Sequence, residues 1–172
     1  MLRQLKILLL ASLCSWYGMM TFHEVGHVIV AWSSGAEIVE VSIPLLGFSH
    51  TVVKNDPNPL WTAWAGALGG AGTALFVLLV TVRFPRRARH IVLYMAGFSL
   101  VANGLYLGVG LLYRAGDCEV LLRLGAEPSQ LLLFGLTSTG MGLMCWHRMG
   151  DIRTFFLPDA VVSEEEMVKE DG

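Results

Sequence analysis

Long apolar stretches, separated by clusters of proline, glycine and charged residues, dominate the pattern of this chain. A helix needs about 20 apolar residues to cross the hydrocarbon core of a bilayer, so we expect about four transmembrane helices. The first stretch continues without a small-residue cleavage site, and we therefore interpret it as a retained helix rather than a signal peptide. The four stretches cover residues 5–32, 60–82, 91–113 and 131–146.

The segment between the first two stretches has a different period. Residues 37–43 alternate polar and β-branched side chains, residues 44–47 are typical of a turn, and residues 48–53 form a second short extended run. This pattern predicts a β-hairpin. Because open strand edges cannot face lipid, we expect the hairpin at the membrane interface. The predicted fold class is an all-α membrane protein with about four transmembrane helices and a short interfacial β-hairpin after the first.

The composition supports a bilayer environment. Hydrophobic residues make up 54% of the chain and charged residues 15%, whereas a soluble domain carries about a quarter charged residues. The net charge of -2 and the lack of a basic stripe argue against a nucleic-acid partner. The three cysteines are scattered without a CxxC spacing, which argues against a disulfide framework or a thiolate zinc site.

Charge also predicts domain organisation and topology. We expect residues 1–150 to form a single membrane-embedded domain and residues 151–172 an acidic flexible tail. Arginines at positions 83, 86, 87 and 89 make the loop at 83–90 cytoplasmic by the positive-inside rule. The hairpin and the loop at 114–130 then lie on the outer face of a multi-pass membrane protein.

A histidine motif in the first stretch is the strongest chemical signal. His23 and His27 are four residues apart, so on a helix they share one face and can both reach one Zn²⁺. Glu24 is offset by about 100°, where it cannot easily be a third ligand but can contact a water on the metal. This is the HExxH arrangement, in which the glutamate is the general base.

The position of these groups within an apolar stretch strengthens the metal interpretation. An ionisable side chain costs roughly 2.5–3.5 kcal/mol or more at the centre of a bilayer, so three of them within five residues indicate a use. One alternative is a self-satisfied polar cluster that holds helices together. Another is a transporter that uses the His/Glu cluster as a proton relay.

A catalytic zinc site needs a third protein ligand. The first and third stretches cross in the same direction, so their carboxyl ends emerge on one face, and this favours Asp117. His50 in the hairpin lies on the same side and is a fallback. The remaining candidates are Glu119 and, at the opposite face, His90 and His147.

Two further features lie in the second and third stretches. Asn103 is a strong amide inside the third, where it could donate to a substrate carbonyl or a developing oxyanion; an interhelical hydrogen bond is the alternative. Gly66 and Gly70 form a GxxxG pattern in the second, which we interpret as a helix-packing surface.

From about residue 15 to residue 120 the chain resembles the site-2 proteases, a family of intramembrane zinc metalloproteases. The resemblance rests on the FHEVGH segment at 22–27, the following hairpin, the small residues at Ala65-Gly66, and an Asn103 followed by Asp117. It implies hydrolysis of peptide bonds of membrane-protein or peptide substrates. It also implies zinc held by two histidines and an aspartate, Glu24 as base, and substrate extended along the hairpin edge.

The chain departs from the family pattern in two places. Ala67 follows Gly66 where the family has proline, and no proline lies between Asn103 and Asp117. Asn103 and Asp117 are 14 positions apart (117 − 103), about 21 Å on a straight helix. Both can serve one site only if the helix breaks at Gly108, Gly110 or Gly116. The predicted function is a zinc metalloendopeptidase, with a non-catalytic metal-binding or helix-assembly protein as the alternative.

Overall fold

The computed structural model describes residues 2–81 and 85–150. The predicted acidic tail at 151–172 and Arg83 of the basic loop lie outside the described residues. The described chain is mostly helical with a small two-stranded sheet, as the hydrophobic pattern predicts. In chain order its elements are α1 (Leu2–Ser33), β1 (Glu37–Ser42), β2 (His50–Lys54), α2 (Pro59–Val80), α3 (Arg86–Tyr113), α4 (Gly116–Arg123) and α5 (Pro128–Met149).

Three helices within the described ranges are long and apolar enough to cross a membrane. These spans are Leu5–Ser33, Pro59–Val80 and Ala88–Tyr113, in α1, α2 and α3. The fourth apolar stretch does form a helix, α5, but α5 is not one of the three. The predicted count of four spans is therefore not confirmed. The polar run at 137–139 and the three glycines of α5 lower its hydropathy.

The predicted hairpin is confirmed, with slightly different bounds. β1 and β2 pair in antiparallel register with Val41 opposite Thr51, and the register shifts between Ile38 and Glu40. Along β2, Thr51 and Val53 are half-buried while their neighbours are exposed. This alternation turns one face of β2 toward the helices.

Backbone contact between α1 and α2 brings the histidine-bearing face of α1 close to its neighbour. A Cβ atom added to Gly26 would stand 2.8 Å from the carbonyl carbon of Ala65. One added to Gly69 would stand 2.9 Å from the Cα of Gly26. Glycines on both helices therefore let the two backbones approach closely.

α3 and α5 also pack backbone to backbone. A Cβ atom added to Gly135 would stand 2.8 Å from the Cα of Gly108, and one added to Gly142 would stand 2.6 Å from the carbonyl oxygen of Gly97. The Ser138 hydroxyl adds a 2.7 Å hydrogen bond to the Leu100 carbonyl. These paired positions show that α3 and α5 run antiparallel.

The chain turns between α3 and α4, next to Gly116. α3 continues through Gly108 and Gly110 and ends at Tyr113. Arg114 and Gly116 then adopt positive φ angles of 47° and 58°, and α4 begins at Gly116. Of the three glycines at which a break would let Asn103 and Asp117 serve one site, Gly116 lies at the break, and the turn brings Asp117 against His23 and His27 of α1.

Candidate metal centre

The three polar residues of the histidine motif are buried between α1 and its neighbours. His23, Glu24 and His27 are 6%, 2% and 7% exposed. One potential ligand atom from each lies within 4.8 Å of those of the other two. This group could therefore hold a metal ion, as the four-residue histidine spacing predicts.

Asp117 approaches both histidines from the first turn of α4. Its Oδ2 atom lies 2.7 Å from Nε2 of His23 and 3.3 Å from Nε2 of His27. In a tetrahedral zinc site with ligands at about 2.0–2.1 Å, neighbouring donor atoms are about 3.4 Å apart. The distance from Asp117 to His27 matches this spacing, and the distance from Asp117 to His23 is shorter.

The other predicted candidates for the third ligand lie away from His23 and His27. His50 lies 3.8 Å from Glu40 on the exposed hairpin, and Glu119 pairs with Arg123 within α4. His90 and His147 lie near the start of α3 and the end of α5, which are the ends remote from α4.

Hydrogen bonds at the far side of each ring orient the two imidazoles. Nδ1 of His27 donates to the Thr62 carbonyl at 2.7 Å. Nδ1 of His23 lies 2.9 Å from Oδ1 of Asn103, while Nδ2 of Asn103 donates to the Ser99 carbonyl at 2.9 Å. Because that carbonyl can only accept, the amide nitrogen must face it, and Oδ1 is left to accept from His23.

This hydrogen bonding determines which groups meet at the centre. An imidazole with its proton on Nδ1 presents a lone pair at Nε2, and the Asp117 carboxylate also presents lone pairs. Such atoms attract one another at 2.7 Å only when positive charge lies between them. That charge is either a second proton on the rings or a metal cation, so the donor set fits Zn²⁺.

Charge at Asp117 suits this position. Burial alone would raise the pKa of the Asp117 carboxyl, but the contacts with the His23 and His27 imidazoles outweigh burial and hold that pKa below its ordinary value. The side chain is therefore anionic at neutral pH, as a carboxylate that binds a metal ion has to be. The Tyr106 hydroxyl helps to place it by accepting the Asp117 backbone N–H at 3.2 Å.

Asn103 is 1% exposed, and its carboxamide joins His23 to the backbone of α3. The interhelical hydrogen bond weighed as an alternative is thus present. Donation by Asn103 to an oxyanion stays a prediction. The contacts are those of a residue that orients a metal ligand through its second ring nitrogen.

The GxxxG glycines of α2 have a role at the centre beyond packing. A Cβ atom added to Gly66 would meet Nε2 of both histidines, at 2.6 Å from that of His23. One added to Gly70 would stand 2.6 Å from Nδ2 of Asn103. Our interpretation of these glycines as a plain helix-packing surface missed this, because the GxxxG pattern is the same for either use.

Thr51 is a second site residue that the sequence did not single out. Its hydroxyl donates to Oε2 of Glu24 at 2.5 Å across 27 positions of the chain. Its one sequence signal is that it is the polar residue on the inward-facing period of β2.

Comparisons of this chain with protein-family models, curated proteins and solved structures found no match.

Proposed function

We propose that this protein is an intramembrane zinc metallopeptidase of the site-2 protease type, which hydrolyses peptide bonds of membrane-protein or peptide substrates. One observation carries the proposal. Oδ2 of Asp117 lies 2.7 Å from Nε2 of His23 and 3.3 Å from Nε2 of His27, beside the buried carboxylate of Glu24. This is a three-ligand donor set with an adjacent base.

In this proposal His23, His27 and Asp117 hold the zinc ion. Bound zinc would supply Lewis acidity, which brings the pKa of a coordinated water to about 7 and polarises the scissile carbonyl. Thr62 and Asn103 keep the Nε2 lone pairs turned toward the metal by occupying Nδ1. Gly66 leaves the space between the two rings open.

Glu24 is the general base. Its position next to His23 places a carboxylate at the centre without using it as a third protein ligand, since Asp117 takes that place. Glu24 accepts a proton from the attacking water and returns it to the amine that leaves. A substrate helix must first unwind locally, because its carbonyls are hydrogen-bonded within the helix.

Membrane placement follows from the three apolar helices. With the loop at 83–90 on the cytoplasmic side, the hairpin and α4 lie toward the outer face. The centre is then near that face, where water can reach it, and the lipid bilayer surrounds α1, α2 and α3.

The test combines metal content with one substitution. Full-length protein, purified in detergent, should contain about one zinc per chain, and chelation should abolish cleavage of fluorescence-quenched peptides that carry one apolar segment of about 20 residues. Glu24→Gln should retain zinc and lose cleavage by about 10²–10⁴-fold. Glu40→Gln, on the exposed hairpin, is the matched control. Protein without zinc, or Glu24→Gln with undiminished cleavage, would refute the proposal.

A non-catalytic role is the second candidate, and one observation favours it. The contacts of Asp117 with His23 and His27 join α4 to α1 even without a metal, provided the rings carry a second proton. A helix-assembly module needs no more than this. Stoichiometric zinc without any Glu24-dependent cleavage would favour a metal-binding module, and absence of zinc would favour helix assembly.

A further inference from the structure

The hairpin touches the centre through one short hydrogen bond. Thr51, on the inward face of β2, donates its hydroxyl proton to Oε2 of Glu24 at 2.5 Å. Glu24 is 2% exposed, and a buried carboxylate is costly unless it is hydrogen-bonded. The partner that stabilises the base therefore comes from the hairpin.

A threonine at this position can orient the Glu24 carboxylate without neutralising its charge. A hydroxyl stabilises the carboxylate without the strong neutralisation that lysine or arginine would bring, so Glu24 remains able to accept a proton. Threonine is β-branched, and its χ1 angle is stiff on a strand. Thr51 takes one lone pair of Oε2, whereas Oε1 accepts no hydrogen bond from the described residues, so Oε1 is the better acceptor for a proton from water.

Contacts at the hairpin tip hold the hairpin that carries Thr51 against the helices. The Tyr17 hydroxyl, on α1, donates to the Leu45 carbonyl in the loop between the strands at 2.6 Å. The Phe48 ring stacks on Tyr106 with centroids 6.2 Å apart and tilts against Trp16 at 6.1 Å. The tip is thus tied to α1 and to the same Tyr106 that accepts the Asp117 N–H.

We propose that Thr51 is a positioning residue for the general base, and that docking of the hairpin on α1 thereby sets the rate of hydrolysis. This inference rests on the proposed function. During hydrolysis a water O–H bond breaks, its proton goes to Oε1 of Glu24, and its oxygen bonds the scissile carbonyl carbon. The C–N bond then breaks and the proton passes to the leaving nitrogen. The Thr51 proton stays on its hydroxyl throughout.

The test uses full-length protein in liposomes and the quenched apolar-segment peptides. Thr51→Val removes the hydroxyl at nearly constant volume. It should lower kcat about 10-fold or more, and leave KM and zinc content unchanged. This is less than the factor of about 10²–10⁴ that general-base catalysis contributes to the rate, because Glu24 itself remains. Thr51→Ser restores the hydroxyl and should recover most of kcat. Thr137→Val, which removes an exposed hydroxyl on α5, should behave as wild type.

Rescue by serine, with kcat changed and KM unchanged, separates positioning from a merely structural role. Tyr17→Phe is the second variant, should Thr51→Val fail to fold or to bind zinc. It loosens the hairpin tip, and kcat should fall while zinc remains. Wild-type kcat in either folded, zinc-loaded variant would overturn the inference and leave the proposed function intact. Wild-type protein without zinc-dependent cleavage would overturn both.

Discussion

Gly66 on α2 lies directly against His23 on α1, and a Cβ atom at position 66 would stand 2.6 Å from the Nε2 of His23. The same atom would meet Nε2 of His27. These nitrogens are the proposed zinc donors, so the added methyl group would occupy the space in which the proposed zinc would lie. The candidate centre therefore depends on the absence of a side chain at position 66 as much as on His23 and His27.

Replacement of Gly66 by alanine should remove zinc. The Nδ1 hydrogen bonds of the histidines and the backbone contact between α1 and α2 hold both rings in place. The rings therefore cannot move away from an added methyl group without breaking these contacts. We expect zinc affinity to fall at least 10-fold, the lower limit for disturbing a ligand's support, as measured by competition with a chromophoric chelator.

Gly72→Ala is the matched control, because Gly72 lies on the same helix with no atom within 4 Å of an added Cβ. It should bind zinc as wild type does. Undiminished zinc affinity in Gly66→Ala would show that the metal does not lie between the two Nε2 atoms.

Substitutions of Asn103 separate its two possible roles. Asn103→Leu removes the acceptor for Nδ1 of His23, and zinc affinity should fall about 10–100-fold, as for other residues that orient a ligand. Asn103→Asp keeps an acceptor but cannot donate from an ionised carboxylate. It should retain zinc and most of kcat if Asn103 orients His23.

The oxyanion role predicts a different result for the same variant. Loss of a donor to the oxyanion would lower kcat by about 10²–10³-fold in Asn103→Asp while zinc stayed bound. Zinc titration together with single-substrate kinetics on Asn103→Asp and Asn103→Leu therefore decides between the two roles.

The features of the centre that could be predicted from sequence are those with a local period. The spacing of His23 and His27 places both on one helical face, and Gly116 supplies the break that lets Asp117 return toward α1. The hairpin could be predicted because its alternation and turn residues are local as well.

The missed features depend on contacts between distant segments. Thr51 meets Glu24 across 27 positions, and the pattern of β2 shows only that Thr51 faces inward. Gly66 and Gly70 produce the same small-residue spacing whether they make room for a neighbouring helix or for side chains of the candidate metal centre. The fourth span is not confirmed for another reason, because the polar run at 137–139 lowers the hydropathy of a stretch that is long enough.

The packing of α5 on α3 should be sensitive to a single methyl group. A Cβ atom at Gly135 would stand 2.8 Å from the Cα of Gly108 and 2.9 Å from the carbonyl oxygen of Gly104, and backbone atoms cannot move aside alone. Gly135→Ala should destabilise the protein by about 1–3 kcal/mol, seen as a lower Tm in detergent. Gly140→Ala has open space around its Cβ and should keep the wild-type Tm. Equal Tm values for the two variants would contradict the glycine contact.

Acidification should release zinc through the histidines rather than through Asp117. Zinc binds neutral imidazole, so protons compete with the metal for both rings as the pH falls. The pKa of Asp117 lies below its ordinary value because its contacts with the imidazoles outweigh burial, so this carboxylate keeps its charge during mild acidification. Apparent zinc affinity, measured from pH 8 to pH 4 in steps, should be constant at the upper end. It should then fall with a slope approaching about two protons per zinc. A loss that began only near pH 4, with a slope of one, would instead identify a carboxylate as the group whose protonation releases the metal.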